Sequence, residues 1–298
     1  MHAALLTGKL VAGPALSMPE LPEVETVRRT LQPHLLGRRF TAVLVRQPQL
    51  RQKVGVAALQ RTLVGARVVG LRRRAKYLLI DVAPATDAAA QVLMVHLGMS
   101  GCLGLVQQGE ALRLHDHVLW DLDDGQQLRL NDPRRFGMVD VFALAAESMH
   151  PRLVHLGVEP LDTAACSGLA LHRLSRGSRA PIKIFLMNAS RIVGVGNIYA
   201  CEALHAAAIH PSRSAGSLSL GRWERLIAAI VGTLTAAIEQ GGTTLRDFTN
   251  VRGEAGLFAV RLRAYGRTDL PCLAACSGHI RRIVQGGRST FYCPRCQH

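Results

Sequence analysis

Lysine is nearly missing from this 298-residue chain: of 36 basic residues, only Lys9, Lys53, Lys76 and Lys183 are lysines. Arginine is the default cation, so a retained lysine is informative, because lysine can give up its proton and arginine effectively cannot. Acidic residues are also few, 21 in all, which leaves a formal charge of +15. That balance points to a polyanionic partner, with nucleic acid preferred over an anionic membrane because no amphipathic basic anchor stands out. No apolar run reaches the roughly 18 residues that cross a bilayer, so no transmembrane helix is expected. An even cysteine count, as a disulfide framework would need, is lacking too. There are seven, an odd number, and four crowd into the last 27 residues, which reads as a metal site in a reducing compartment and not as a disulfide framework. Cys102, Cys166 and Cys201 are expected to be buried as small apolar residues. With 48% apolar residues the chain is not disordered and can bury a full core, most simply in two domains.

The opening stretch, MHAALLTGKLVAGPALS, has the look of a signal peptide, but Lys9 lies inside its apolar part and Gly13-Pro14 interrupts it, so export is not expected. Met18 to Arg29, MPELPEVETVRR, carries more chemistry. If Met18 initiates translation and is removed, Pro19 presents a secondary amine beside Glu20, Glu23 and Glu25. An α-amine has a pKa of about 7.7–8.0, so part of it is unprotonated at neutral pH. Secondary amines condense with aldehydic carbons to give iminium ions, and a neighbouring acid can protonate the departing group. The same residues also suit a plainer role, two prolines opening a helix whose first turn is rich in glutamate.

Val24, Val27, Leu31 and Leu35 recur at helical spacing from Glu20, and Gly37 supplies a stop. That helix N-terminus is expected to favour a phosphate. Short β-rich segments follow: FTAVLVRQ, ARVVGLRRRAKYLLIDV, QVLMVHLGM, HVLWDLDDG and QLRLNDPRRFGMVDVFAL. Turn residues at Asp87, Gly98, Gly101, Asp123 to Gly125 and Asp132-Pro133 separate them, which suggests a sandwich or flattened barrel. After about His150 helices dominate, over Pro181–Asn188, Asn197–Ile209 and Leu220–Gln240. Gly194 and Gly196, before the Asn197 helix, let backbone amides approach an anion, although a plain helix–turn–helix packing corner is the commoner explanation of such a pattern. The glycine-rich stretch from Gly241 to Arg263 reads as a loop over a site. From Arg261 to the end there are seven arginines against one acid, Asp269.

Cys272-x3-Cys276 and Cys293-x2-Cys296 flank sixteen residues containing Gly278, Gly286-Gly287 and β-formers. Two cysteine pairs joined by a hairpin suit one tetrahedral, structural zinc with no open position. The first pair is one residue longer than the usual tight turn, which leaves His279 as an alternative ligand to Cys276. Lys76, in RRRAKYLLI, lies on an expected strand with Arg72, Arg73 and Arg74 nearby; this suits either an acid/base lysine or a phosphate-binding stripe. In DPRRFGM, Arg134 and Phe136 follow a turn proline and could fill the space of an extruded base, with Met99 of HLGMSG as a further wedge; core roles are the alternative. His115 and His117, in HDHV, suit a phosphate contact or a structural role.

Taken together, PELPEVET, RRAKYLL, HLGMSG, HDHV, DPRRFG, VGVGNIYACEAL, IEQGGTTLRDF and RSTFYCPRC resemble the bacterial formamidopyrimidine-DNA glycosylase family, in the family's order, over Met18 to His298. PELPE separates the chain from the sister endonuclease VIII group, which acts on oxidised pyrimidines. The resemblance implies an α+β fold: an N-terminal β-sandwich with a leading helix over residues 18–155, a linker at 156–165, a helix-two-turn-helix domain with a lesion-recognition loop at 166–262, and a zinc-bound β-hairpin at 263–298. Residues 1–17 are then a disordered start-site extension. It implies a cytoplasmic, nucleoid-associated monomer acting on double-stranded DNA with oxidised purines or abasic sites. Carried over by motif, Pro19 is the nucleophile, Glu20 the assisting acid, Lys76 the proton donor in β-elimination and Arg288 the residue serving δ-elimination. Met99, Arg134 and Phe136 fill the gap left by the flipped base; His115 and Asn197 contact phosphates. Where many relatives carry a basic residue this chain has Ser178, and Arg179 is expected to take over that contact. A noncatalytic, zinc-dependent binder of damaged DNA is the rival of another class, and an oxidised-pyrimidine glycosylase the rival within the same chemistry.

Overall fold

The computed structural model describes residues 19–86, 88–241 and 262–298. The expected extension at 1–17 lies outside the described residues, as does nearly all of the expected loop at 241–263. Helix α1, Leu21–Leu35, starts where the sequence places it. Its first turn is closed by Glu23 Oε2, which accepts from Glu20 N at 2.9 Å. Gly37 follows at φ 84°, a left-handed stop that costs glycine nothing. Val24, Val27, Leu31 and Leu35 form the buried stripe of α1.

Eight strands then build two four-stranded antiparallel sheets. One orders β1 (Phe40–Val45), β6 (Asp116–Leu122), β7 (Gln126–Asn131) and β5 (Cys102–Gln107); the other orders β2 (Arg67–Arg74), β3 (Tyr77–Ala83), β4 (Gln91–His96) and β8 (Met138–Ala143). Their inner faces share one core, in which Phe40, Leu78, Ile80, Leu93, Val118, Trp120 and Leu128 are buried along with α1 and α2, Val56–Leu63. Two elements, α2 and β5, were not apparent in the sequence. Cys102, at the start of β5, is half-buried and not enclosed as expected, whereas Cys166 and Cys201 are buried.

The helical unit comprises α3 (Gly168–Ser175), α4 (Ile182–Leu186), α5 (Asn197–Ala206) and α6 (Leu220–Glu239). Its core holds Phe185, Tyr199, Trp223, Leu226 and Leu234, and it also takes in Leu21 from α1. Residues before α3 belong to this packing: Val158 bridges Ile192 in parallel, and Leu161 lies against the helical core. A final hairpin pairs β9 (Arg281–Gln285) with β10 (Arg288–Tyr292) around Gly286 and Gly287, at φ 55° and 71°, the left-handed pair that a two-residue turn demands. The α+β architecture is thus a sandwich with a leading helix, a helical unit and a cysteine-bearing hairpin.

Candidate active site

Of the two glycines before α5, Gly196 cradles an anion that is part of the chain itself, while Gly194 serves a packing corner. Glu20, only 2% exposed, accepts from Gly196 N at 2.7 Å and from Ile198 N at 3.0 Å. A carboxylate at the positive end of a helix satisfies donors that would otherwise lack partners. The space exists because residue 196 has no side chain; a Cβ there would lie against the Glu20 carboxylate, and one at Gly194 would press on Leu21. Leu21 N donates to Gly194 O at 3.2 Å, and Tyr199 hydroxyl donates to Glu23 at 2.7 Å. The PELPE segment is therefore bonded to the helical unit at several points, with Pro19 half-buried beside it. Burial raises the pKa of Glu20, and the nearby Lys76 cation and the two backbone donors partly offset that rise.

Lys76 sits in a turn, not on a strand. The register pairs Arg74 with Tyr77, so Ala75 and Lys76 form a two-residue loop, and Ala75 takes φ 55° to make it. The three arginines before it are not a free basic stripe. Arg72 makes a bidentate pair with Asp81, at 2.6 Å for both bonds, and meets Glu147. Arg73 and Arg74 both reach Glu159, at 2.9 and 3.0 Å, and Arg73 also meets Glu25 at 3.3 Å. Glu159 accepts from Ala75 N at 2.6 Å as well, so a carboxylate far away in sequence fixes the Lys76 turn. Only Arg73 and Glu25 in this network are nearly enclosed, whereas Arg72 and Arg74 are partly open to solvent, so water screens much of the pairing and its main contribution is to fix the turn.

Met99, Arg134 and Phe136 are brought together on two abutting loops. Gly98 lies so close to the Phe136 and Gly137 backbone that a Cβ would overlap it. Ser100 Oγ donates to Asp132 Oδ1 at 2.7 Å, and Gly137 N donates to Asp132 Oδ2 at 2.6 Å. Above this clasp the Arg134 guanidinium stands 4.9 Å from the Phe136 ring centroid, and Phe136 is 41% exposed, which is not a core position. Of the two histidines in HDHV, His117 is buried with Nε2 2.9 Å from Asp132 O, a structural placement, while His115 is half-buried at the surface. Asn197 opens α5 and donates from Nδ2 to Ser289 O at 3.0 Å. Arg179 and Arg288 are exposed, Arg288 at the hairpin tip.

The four C-terminal cysteines meet. Their Sγ atoms all lie within 4.8 Å of one another, with Cys276–Cys293 at 3.5 Å and Cys272–Cys296 at 3.8 Å. A zinc ion about 2.3 Å from each sulfur of a tetrahedron sets S···S edges of about 3.8 Å, so the set fits zinc. Gly278 leaves the room for it, since a Cβ there would come within 2.7 Å of Cys293 Sγ. Within the longer spacing of the first pair Ala275 takes a left-handed conformation, φ 53°, and Ser277 just after Cys276 takes another, φ 55°. His279 is exposed and outside the cluster, so Cys276 completes the four-cysteine set, which suits one structural zinc.

Several polar residues gave no usable signal in the sequence. Lys183, noted only as a retained lysine, is fully buried. It donates to Thr290 Oγ1 at 2.6 Å and Ser289 O at 3.2 Å, and burial pushes its pKa down. Glu202 accepts from the backbone N–H groups of Arg263, Ala264 and Tyr265, at 2.7, 2.9 and 2.7 Å, which docks the chain entering the hairpin onto α5. Glu159 and His205, which approaches Cys272, complete the set.

The sequence matches three family models: the formamidopyrimidine-DNA glycosylase N-terminal domain over residues 18–139, its H2TH domain over 156–249, and the zinc finger found in FPG and IleRS over 269–298. It is 50% identical over 281 residues to the formamidopyrimidine-DNA glycosylase of Aromatoleum aromaticum and 47% identical to that of Magnetococcus marinus, in each case covering 94% of this chain and 99% of the relative. Two solved Lactococcus lactis Fpg complexes, one with abasic-site DNA and one with N7-benzyl-Fapy-dG DNA, superpose with TM-score 0.82 at 29% identity, covering 94% of this chain and 99% and 100% of theirs. With its sandwich, its helical unit and its four-cysteine hairpin all matched in order, the chain belongs to the formamidopyrimidine-DNA glycosylase family.

Proposed function

We propose that this protein excises oxidised purines from double-stranded DNA and cleaves the strand at the abasic site it creates, working as a monomer through a Schiff base on the amine of Pro19. The observation that carries the reading is the Glu20 carboxylate, locked on the α5 N-terminus and within electrostatic reach of Lys76. It sets the Pro19 nitrogen beside a buried acid. In this reading the secondary amine attacks C1′ of the lesion nucleotide and the C1′–N bond to the base breaks. Glu20, whose pKa burial raises, supplies a proton to the sugar O4′ as the C1′–O4′ bond opens, and the nitrogen lone pair completes the iminium ion at C1′. The iminium ion then acidifies the C2′ hydrogens, and loss of one expels the 3′ phosphate. Lys76 handles protons in that β-elimination, and Arg288 serves the following δ-elimination at the 5′ phosphate.

Met99, Arg134 and Phe136 take the space of the extruded base, which suits an exposed arginine–aromatic pair held on a rigid clasp. His115, Asn197 and Arg179 bind phosphates. Zinc, held by Cys272, Cys276, Cys293 and Cys296, supplies folding energy to the unit that presents Arg288. The discriminating experiment uses protein beginning at Pro19 and a duplex with one 8-oxoguanine opposite cytosine. Strand cleavage and a borohydride-trapped covalent complex are expected, with far weaker cleavage of a thymine glycol duplex. A band shift without cleavage would identify a noncatalytic binder, and preference for thymine glycol an oxidised-pyrimidine enzyme.

A further inference from the structure

The imidazole that reaches the zinc centre comes from the helical unit. His205 lies in the last turn of α5 and is 3% exposed. Its Nε2 is 3.1 Å from Cys272 Sγ, and its Nδ1 is buried with no hydrogen-bond partner among the described residues. Cys201, one turn earlier on the same face, packs with Cys272, Ile280, Phe291 and Cys293 in the small core around the site. This face of α5 is therefore the wall against which the zinc unit folds. The opposite side of the attachment is made by Gln297, which accepts from Cys293 N at 2.7 Å and donates to Ile209 O at 2.8 Å.

Four thiolates around one zinc dication leave an excess negative charge, and donors aimed at the ligand sulfurs disperse it and orient the ligands. Ala274 N, at 3.5 Å from Cys272 Sγ, offers a long contact. His205 offers a shorter one. A zinc-bound thiolate can only accept, so the hydrogen of this bond belongs to Nε2. We infer that His205 is a positioning residue for the zinc site: its Nε2–H donates to the Cys272 thiolate, secures the metal, and ties the zinc unit to the helix whose first turn carries Asn197 and holds Glu20. The inference concerns zinc retention and does not depend on the proposed reaction.

The test compares His205→Leu, which keeps an apolar-compatible helical position but has no donor, with His205→Gln, whose amide can still donate. In the zinc-loaded full chain, the Leu variant should surrender zinc to a chromophoric chelator roughly 10–100-fold more readily than wild type, the range usual for loss of such an outer-sphere partner, and Gln should restore most of the retention. In cobalt-substituted protein, the sulfur-to-metal charge-transfer band should move to lower energy in the Leu variant and stay near the wild-type position in the Gln variant, because a hydrogen bond stabilises the sulfur electrons. The inference is overturned if the Leu variant, with unchanged far-ultraviolet circular dichroism, holds zinc as wild type does and shows an unshifted band. It is equally overturned if Gln behaves like Leu, since shape alone would then account for the site.

Discussion

Glu20 is held by backbone 176 residues away in sequence, and the room for it is the missing side chain of residue 196. Gly196→Ala tests this directly. A methyl group would fall on the carboxylate, so either Glu20 leaves the α5 N-terminus or the segment carrying Pro19 shifts. Base excision from an 8-oxoguanine duplex should fall at least ~10-fold, equivalent to about 1.4 kcal/mol of transition-state stabilisation, while zinc content stays that of wild type. Unaltered excision in a well-folded variant would mean that the Glu20 position is incidental. The sequence offers both readings of the two glycines before α5, and the structure uses both: Gly196 for an anion and Gly194 for a packing corner. The sequence does not reveal that the anion is internal, because nothing local in GVGN distinguishes a glutamate from a phosphate. Glu159, Glu202 and His205 were invisible for the same reason: each acts on a group more than 60 residues away, at 84, 61 and 67 positions respectively.

At the scale of elements, long periodic segments could be read and short ones could not. α1 and α6 carry enough apolar repeats to be recognised, whereas α2 buries only Leu59 and Leu63, and β5, CLGLVQ, is broken by a glycine and buries only Leu103 and Leu105. The Lys76 hairpin was hidden because RRRAKYLLI has no glycine or proline; its turn rests on a left-handed alanine that Glu159 holds. Beside that turn, His96 at the end of β4 accepts from Gly98 N at 3.0 Å and so braces the loop bearing Met99. Burial, with the cations of Arg51, Lys76 and Arg152, lowers its pKa from 6.5 to about 4. The unfolded chain therefore binds this proton near pH 6.5 and the folded chain only near 4. Between those values the unfolded state carries more protons, so stability falls as pH drops, by at most on the order of 3 kcal/mol from this residue. In thermal denaturation at pH 7 and pH 4.5, His96→Gln should lose less stability on acidification than wild type. An identical pH dependence in both proteins would remove His96 from the account.

Over the whole molecule, the PELPE segment is a shared part of two cores: α1 lines the sandwich while Leu21 packs in the helical unit. In the 298-residue sequence Pro19 is internal, and its nitrogen is a tertiary amide with no hydrogen and a lone pair delocalised into the Met18 carbonyl. Such a nitrogen cannot form an iminium ion. The chain that carries residues 1–17 should not cleave 8-oxoguanine DNA by this route and should give no borohydride-trapped complex. A chain initiated at Met18, from which aminopeptidase exposes Pro19, should cleave and trap. N-terminal sequencing of whichever preparation is active decides the point: trapping by protein that still begins at Met1 would exclude Pro19 as the nucleophile and turn attention to Lys76, the lysine whose charge already acts on Glu20.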